Sequence, residues 1–224
     1  MGTSKGYIAP STPHWSKAKR GVSMYVSNPS ETERNKAASK YARAMQEGGF
    51  NNNRAVNAVA QLTHFIITSK SQGYTNALHE IGRDDIISMS PEEALNELLL
   101  HFSNDASTID DTIGLESISA AFNVLEIQDL EDLTKVNINK FIKEFVCQFA
   151  KMKFAQLFDK QIRNKCSSLA QANDRVAEMQ DFIYYTIKQS LTDEILAEIN
   201  PLSLSDENII KNVLQKGFGL IEII

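Results

Sequence analysis

Apolar residues recur along most of this chain at intervals of three and four, the spacing that gathers them on one face of a helix. Residues 14–26 place Trp15, Ala18, Val22, Tyr25 and Val26 in such a pattern, opened by Pro13 and Ser16 and closed by Asn28-Pro29-Ser30. The good helix formers from Glu31 onward run to Gly48-Gly49, and Val56, Val59, Ala60, Thr63, Phe65 and Ile67 form the apolar face of a helix over residues 53–72. Shorter helical pieces follow over 74–81 and 84–88. Ser90-Pro91-Glu92-Glu93 reads as a capping box, with the Ser hydroxyl and the Glu carboxylate each serving an orphan backbone donor, and it opens a helix to residue 103. A helix over 110–125 comes next, then one through Ile138, Phe141, Ile142, Phe145, Phe149 and Met152. Residues 169–191 carry Ala172, Val176, Met179, Ile183 and Ile187 on one stripe, a short helix ends at Asn200-Pro201, and residues 205–216 form the last. No strand alternation and no repeat of 20 to 50 residues is present.

The pattern therefore predicts an all-α protein: a single globular helical domain of roughly eight to ten helices over residues 31–224. A flexible tail (1–13) and a docking segment or linker (14–30) precede it. The tail is expected to be disordered, because Gly2, Gly6, Pro10 and Pro13 among Ser and Thr bury too little apolar surface to offset the entropy of ordering. The apolar end, Phe218, Leu220, Ile221, Ile223 and Ile224, reads first as core and second as a contact surface.

Charge changes this picture by being uneven. The net charge is −5, but residues 1–54 hold nine Lys/Arg against three Asp/Glu, and the remainder fourteen against twenty-five. A basic front can mark nucleic-acid contact, yet Lys17, Lys19, Arg20, Arg34, Lys36, Lys40 and Arg43 lack interleaved aromatics, so that use is disfavoured. No apolar run reaches the roughly 20 residues of a membrane span, and the N-terminus lacks a secretory signal's apolar centre. Cys147 and Cys166 stand apart without CxxC spacing, which suits buried thiols and a cytoplasmic location.

Candidate chemistry is sparse. Gly48-Gly49 and Gly217-Phe218-Gly219 match no phosphate loop and read as helix stops. Arg83 occupies the second His position of an HExxH-like string opened by His79-Glu80, and His14, His64, His79 and His101 share no ligand spacing. The acidic pairs Asp84-Asp85, Asp110-Asp111 and Glu131-Asp132 sit where helices begin, where carboxylates complement the helix dipole. These residues predict no enzyme, no cofactor and no metal. Met1-Gly2 is different. Removal of Met1 exposes an unhindered Gly2 α-amine with a reference pKa of about 7.7–8.0, partly neutral and nucleophilic at cellular pH. Gly6, in place of Ser or Thr, argues against N-myristoylation. A start with no chemical role remains the alternative for MGTS.

MGTSKGY, Pro10 with Trp15, Lys17-Ala18-Lys19, Tyr41-Ala42-Arg43-Ala44 and the SPEEALNELL stretch together resemble the QatB family, the small partner subunits of the Qat bacterial anti-phage system. The resemblance spans roughly residues 1–125, with MGTS its most specific part and with shorter Gly- and Pro-rich spacers after it. It implies a non-enzymatic component that works beside a QueC-like enzyme, an ATPase and a TatD-like nuclease. It further implies that the QueC-like partner joins a deazaguanine to Gly2, with Thr3 and Ser4 as recognition positions small enough to thread a pocket. Trp15 is either a partner anchor or a cap on the helical core. A plain adaptor without modification, and a nucleic-acid-binding module, stand as the other readings.

Overall fold

Side-chain caps written into the sequence set several helix starts. Ser30, Ser168 and Thr192 each accept a hydrogen bond from the backbone N–H three residues on, from Glu33, Gln171 and Ile195. The computed structural model describes residues 9–48, 53–103, 109–199 and 207–223. Its elements are α1 (Pro13–Ser27), α2 (Glu31–Glu47), α3 (Asn53–Gln72), α4 (Tyr74–Glu80), a 3-10 turn (Asp84–Ser88), α5 (Pro91–Ser103), α6 (Ile109–Val124), α7 (Leu130–Lys135), α8 (Ile138–Arg163), α9 (Leu169–Ser190), α10 (Asp193–Glu198) and α11 (Glu207–Glu222). No strand occurs among the described residues, as an all-α protein requires. Among the described residues, ten α-helices, α2–α11, fall within 31–224, as expected. Asp129 accepts from the Asp132 N–H at 2.8 Å and starts the six-residue α7. Such a helix is too short to show a period.

Two details of the sequence reading change. At α5 the Ser90 backbone N–H donates to Glu93 as expected, at 3.2 Å. The Ser90 hydroxyl, however, also donates to the Glu93 carboxylate, at 2.6 Å, and the two bonds hold that carboxyl below its ordinary pKa. The second change concerns Gly217 and Gly219, which lie inside α11 instead of ending it. Each interior glycine costs a helix about 1 kcal/mol. Phe218 and Ile221, both fully buried, carry the helix past them.

Contacts divide the chain into two compact units. The first comprises Met1–Asn51, Phe149–Leu191 and Gln215–Ile224. Its α1 and α2 pack along each other, and Tyr41 of α2 sits at its centre, fully buried. The Tyr41 ring meets Phe154, Phe158 and Phe218 edge-on at 5.3, 6.0 and 5.6 Å, and its hydroxyl donates to the Ala150 carbonyl at 2.8 Å. Burial raises the Tyr41 pKa well above a phenol's usual value. A second polar knot joins α1, α2 and α9. The Tyr25 hydroxyl donates to Glu178 at 2.5 Å, Arg175 donates to the same carboxylate at 2.8 Å, and Arg34 stacks 4.3 Å above Phe182.

The second unit comprises Asn52–Gln148 and Thr192–Leu214. In it α3 packs against α4, α5, α6 and α7. Phe65 meets Phe102 at 6.0 Å, Phe122 meets Phe141 at 5.8 Å, and Lys70 donates to the Val136 carbonyl at 2.8 Å. Gly114 permits the close approach of α6 to α3, since a Cβ there would lie 2.4 Å from the Ala55 Cβ and 3.1 Å from its Cα.

Gly114→Ala gains helix propensity but overpacks that contact, so a net loss of about 1–2 kcal/mol is expected in urea unfolding. Adding Ala55→Gly recovers part of the loss; additive losses would show that the contact is not the cause. Ser90→Ala returns the Glu93 carboxyl toward its ordinary value in an NMR titration. Because the folded-state pKa is depressed, the stabilisation is present above the ordinary carboxylate range, about pH 4.3, and is lost as pH falls through the folded-state value. Wild type and variant therefore differ in melting temperature at neutral pH and converge in acid.

Candidate functional site at the root of the N-terminal segment

The acidic pairs Asp84-Asp85 and Glu131-Asp132 and the histidines beside the first of them are held by structural partners. Arg83, in the position where a second zinc-binding His would stand, donates to Asp85 at 2.9 and 2.8 Å and to Glu97 at 3.1 Å. The Arg83 bonds hold the Asp85 carboxyl below its ordinary value. Asp84 pairs with His79, and His64 lies 3.7 Å from Glu80. His101 is held below the usual imidazole pKa, first by burial and then by Arg83. Glu131 and Asp132 begin α7 and both pair with Lys135. The side chains of Asp110 and Asp111 lie outside the described residues. Cys147 is buried and Cys166 half-buried, and the two are not joined in a disulfide. No group of three His, Cys, Asp or Glu side chains that could hold a metal ion occurs among the described residues.

The expected functional segment meets the fold at its base. Gly2, Thr3 and Ser4 lie outside the described residues, which begin at Ala9. Ala9 is buried, and the Pro10 carbonyl accepts a hydrogen bond from the Lys19 ammonium at 3.0 Å. Thr12 precedes α1 in an extended conformation and Pro13 takes its first position. His14 then pairs with Glu47, which also accepts from Arg43 Nε at 3.0 Å. Residues 9–13 of the expected tail are thus seated on the first unit. The segment over 14–30, expected to dock or to link, is mainly α1 and packs along α2.

Trp15 is only 6% exposed, with its ring 6.4 Å from Phe158 and its Nε1 against Gly48, where a Cβ would approach to 3.3 Å. Of the two roles left open for Trp15, this placement is that of a core cap. Sequence reasoning missed Ala9, Lys19 and His14 as parts of the root. A lone alanine among prolines and serines has no periodicity, and bonds to a backbone carbonyl or across nine residues leave no pattern.

The family model of the Qat anti-phage system associated protein QatB matches residues 38–221. The chain belongs to the QatB family. Its role accordingly lies in the Qat anti-phage defence system. No curated protein and no solved structure matches the chain. The matched region differs from the stretch that carried the resemblance. It begins after α1 and extends through the C-terminal half of this QatB-family chain, so membership rests on the helical body and is independent of MGTS. No helix among the described residues is long and apolar enough to cross a membrane.

Trp15→Ala removes the wedge between α1 and α8 and is expected to cost about 3–5 kcal/mol, a melting-temperature drop of roughly 6 °C or more in a chain of this size. Unchanged melting by circular dichroism together with weakened partner binding would assign Trp15 to a surface anchor instead.

Proposed function

We propose that this QatB-family chain is a non-enzymatic subunit of the Qat system. Its helical body binds partner subunits, and its N-terminal segment presents Gly2, after Met1 is removed, for conjugation to a deazaguanine by a QueC-like partner enzyme. The observation that carries the reading is the seated root, for a segment offered to another enzyme needs a fixed base. Gly2 stands seven residues before the buried Ala9, which confines the acceptor to within about 25 Å of the first unit.

The chemistry asks little of this chain. A fraction of the Gly2 α-amine is neutral near its reference pKa of about 7.7–8.0. Its lone pair attacks the activated carbonyl carbon of a deazaguanine acyl group held by the partner, a C–N bond forms, the activating group leaves with its electron pair, and the amine's proton passes to solvent. Thr3 and Ser4 are the recognition positions, small enough to follow Gly2 into a narrow pocket. The ATPase and the TatD-like nuclease are the further partners that the family resemblance supplies. A plain adaptor role is the second reading, favoured by a family match that rests on the body alone.

Intact mass of the untagged protein, expressed alone and with its system partners, tests the reading. A mass added to the peptide beginning at Gly2, only in the co-expressed sample, is expected. Gly2→Pro should abolish it while the helical circular-dichroism spectrum stays unchanged. An unmodified terminus in both samples, with anti-phage activity intact in the Gly2→Pro variant, leaves the plain adaptor.

A further inference from the structure

Folding sharpens the separation of charge that the sequence shows only coarsely. The first unit holds sixteen Lys/Arg and eight Asp/Glu, and the second seven against twenty. The gain comes from residues 149–191, which bring seven cations and four anions to the basic front. Within the first unit many cations are spent on internal partners: Lys36 on Glu33, Arg43 on Glu47, Arg163 on Asp159, and Arg34 and Arg175 on Glu178.

A second set has no carboxylate within ion-pair distance among the described residues, and tertiary packing gathers it around α1. Lys17, Arg20 and Met24 form the solvent face of α1 at intervals of three and four, and Met24 is 50% exposed. On one flank the stem of Lys40 crosses Gly21, where a Cβ would lie 2.9 Å from Lys40 Cδ. On the other flank Gln161 of α8 donates to the Lys19 carbonyl at 2.7 Å and to the Ser23 hydroxyl at 3.0 Å. Lys160 and Lys165, both exposed, stand within four residues of that contact along the chain. Lys19 itself reaches the Pro10 carbonyl, so the band touches the root of the N-terminal segment.

We propose that this band of Lys17, Lys19, Arg20, Lys40, Lys160 and Lys165 is the docking surface for an acidic face on the protein that engages the N-terminal segment. Two constraints lead to that occupant. Gly2 can lie no farther than about 25 Å from Ala9, so whatever grips it must rest against the surface around the root. That surface is cationic, and complementary charge there speeds encounter and fixes orientation more than it adds to final affinity. The exposed Met24 within the band suits a protein contact better than a phosphate backbone.

The inference rests on the proposed presentation of Gly2, and the experiment separates the two. Full-length untagged protein, the triple variant Lys17→Glu/Arg20→Glu/Lys160→Glu and the control Lys140→Glu, on an exposed position of the second unit, are compared as substrates of the QueC-like subunit. A synthetic peptide of residues 2–9 is the fourth substrate. The triple variant should raise KM about tenfold or more with kcat nearly unchanged. The control should match wild type, the peptide should be as poor as the triple variant, and wild-type KM should rise steeply with salt. Binding of the QueC-like subunit to each full-length protein is measured in parallel, so that the docking surface is tested even if no transfer occurs. Transfer or binding that is equal in wild type and triple variant overturns the inference while leaving Gly2 presentation standing, as does a peptide modified as well as the whole chain. Absence of binding to the wild type also overturns it. Salt-sensitive binding of a 20-nucleotide single strand, lost in the triple variant while the QueC-like subunit binds both equally, would reassign the band to nucleic acid.

Discussion

A phenol hydroxyl with no access to water must find an acceptor, and in the first unit the Tyr41 hydroxyl finds the Ala150 carbonyl. That requirement fixes the rotation of α2 against α8 and seats the ring among Phe154, Phe158 and Phe218. Phe218 in turn draws α11 into the cluster, which is why that helix continues through two glycines. Trp15 extends the same cluster to α1 through Phe158, and with α1 seated the chain before it has a defined base. The root of the N-terminal segment is a consequence of one aromatic core.

The separation of charge has a similar origin. α8 is long enough to serve both units: residues 138–148 belong to the acidic one and 149–163 to the basic one. Its last turn carries Lys160 and Arg163, cations that favour the negative end of the helix dipole, and the fold sets this turn beside α1. Cations placed for a local reason thus join those of the basic front, 140 residues away in sequence.

The helical body accounts for membership of the QatB family, and the surface around the N-terminal root accounts for the proposed use. These are different parts of the chain with different demands. The body needs only volume and periodicity in its core. The root needs specific bonds, from Lys19 to the Pro10 carbonyl and from His14 to Glu47, that hold one short stretch in place, and the proposed presentation of Gly2 builds on them.

Periodicity and capping determined the class and most of the elements from sequence alone. Apolar residues at three- and four-residue spacing, the box of Ser90 and Glu93, and Pro13 and Pro91 at first helical positions are local signals, each acting within one or two turns. The N-terminal segment stood out by its composition and Gly2 as a candidate acceptor, because both readings depend on single residues. Tertiary structure decided what involves partners distant in sequence. It buried Trp15, kept Gly217 and Gly219 helical, and brought Gln161 of α8 against residues 19 and 23 of α1. None of these leaves a mark in local pattern, since a contact across more than a hundred residues is selected by shape and burial and not by spacing.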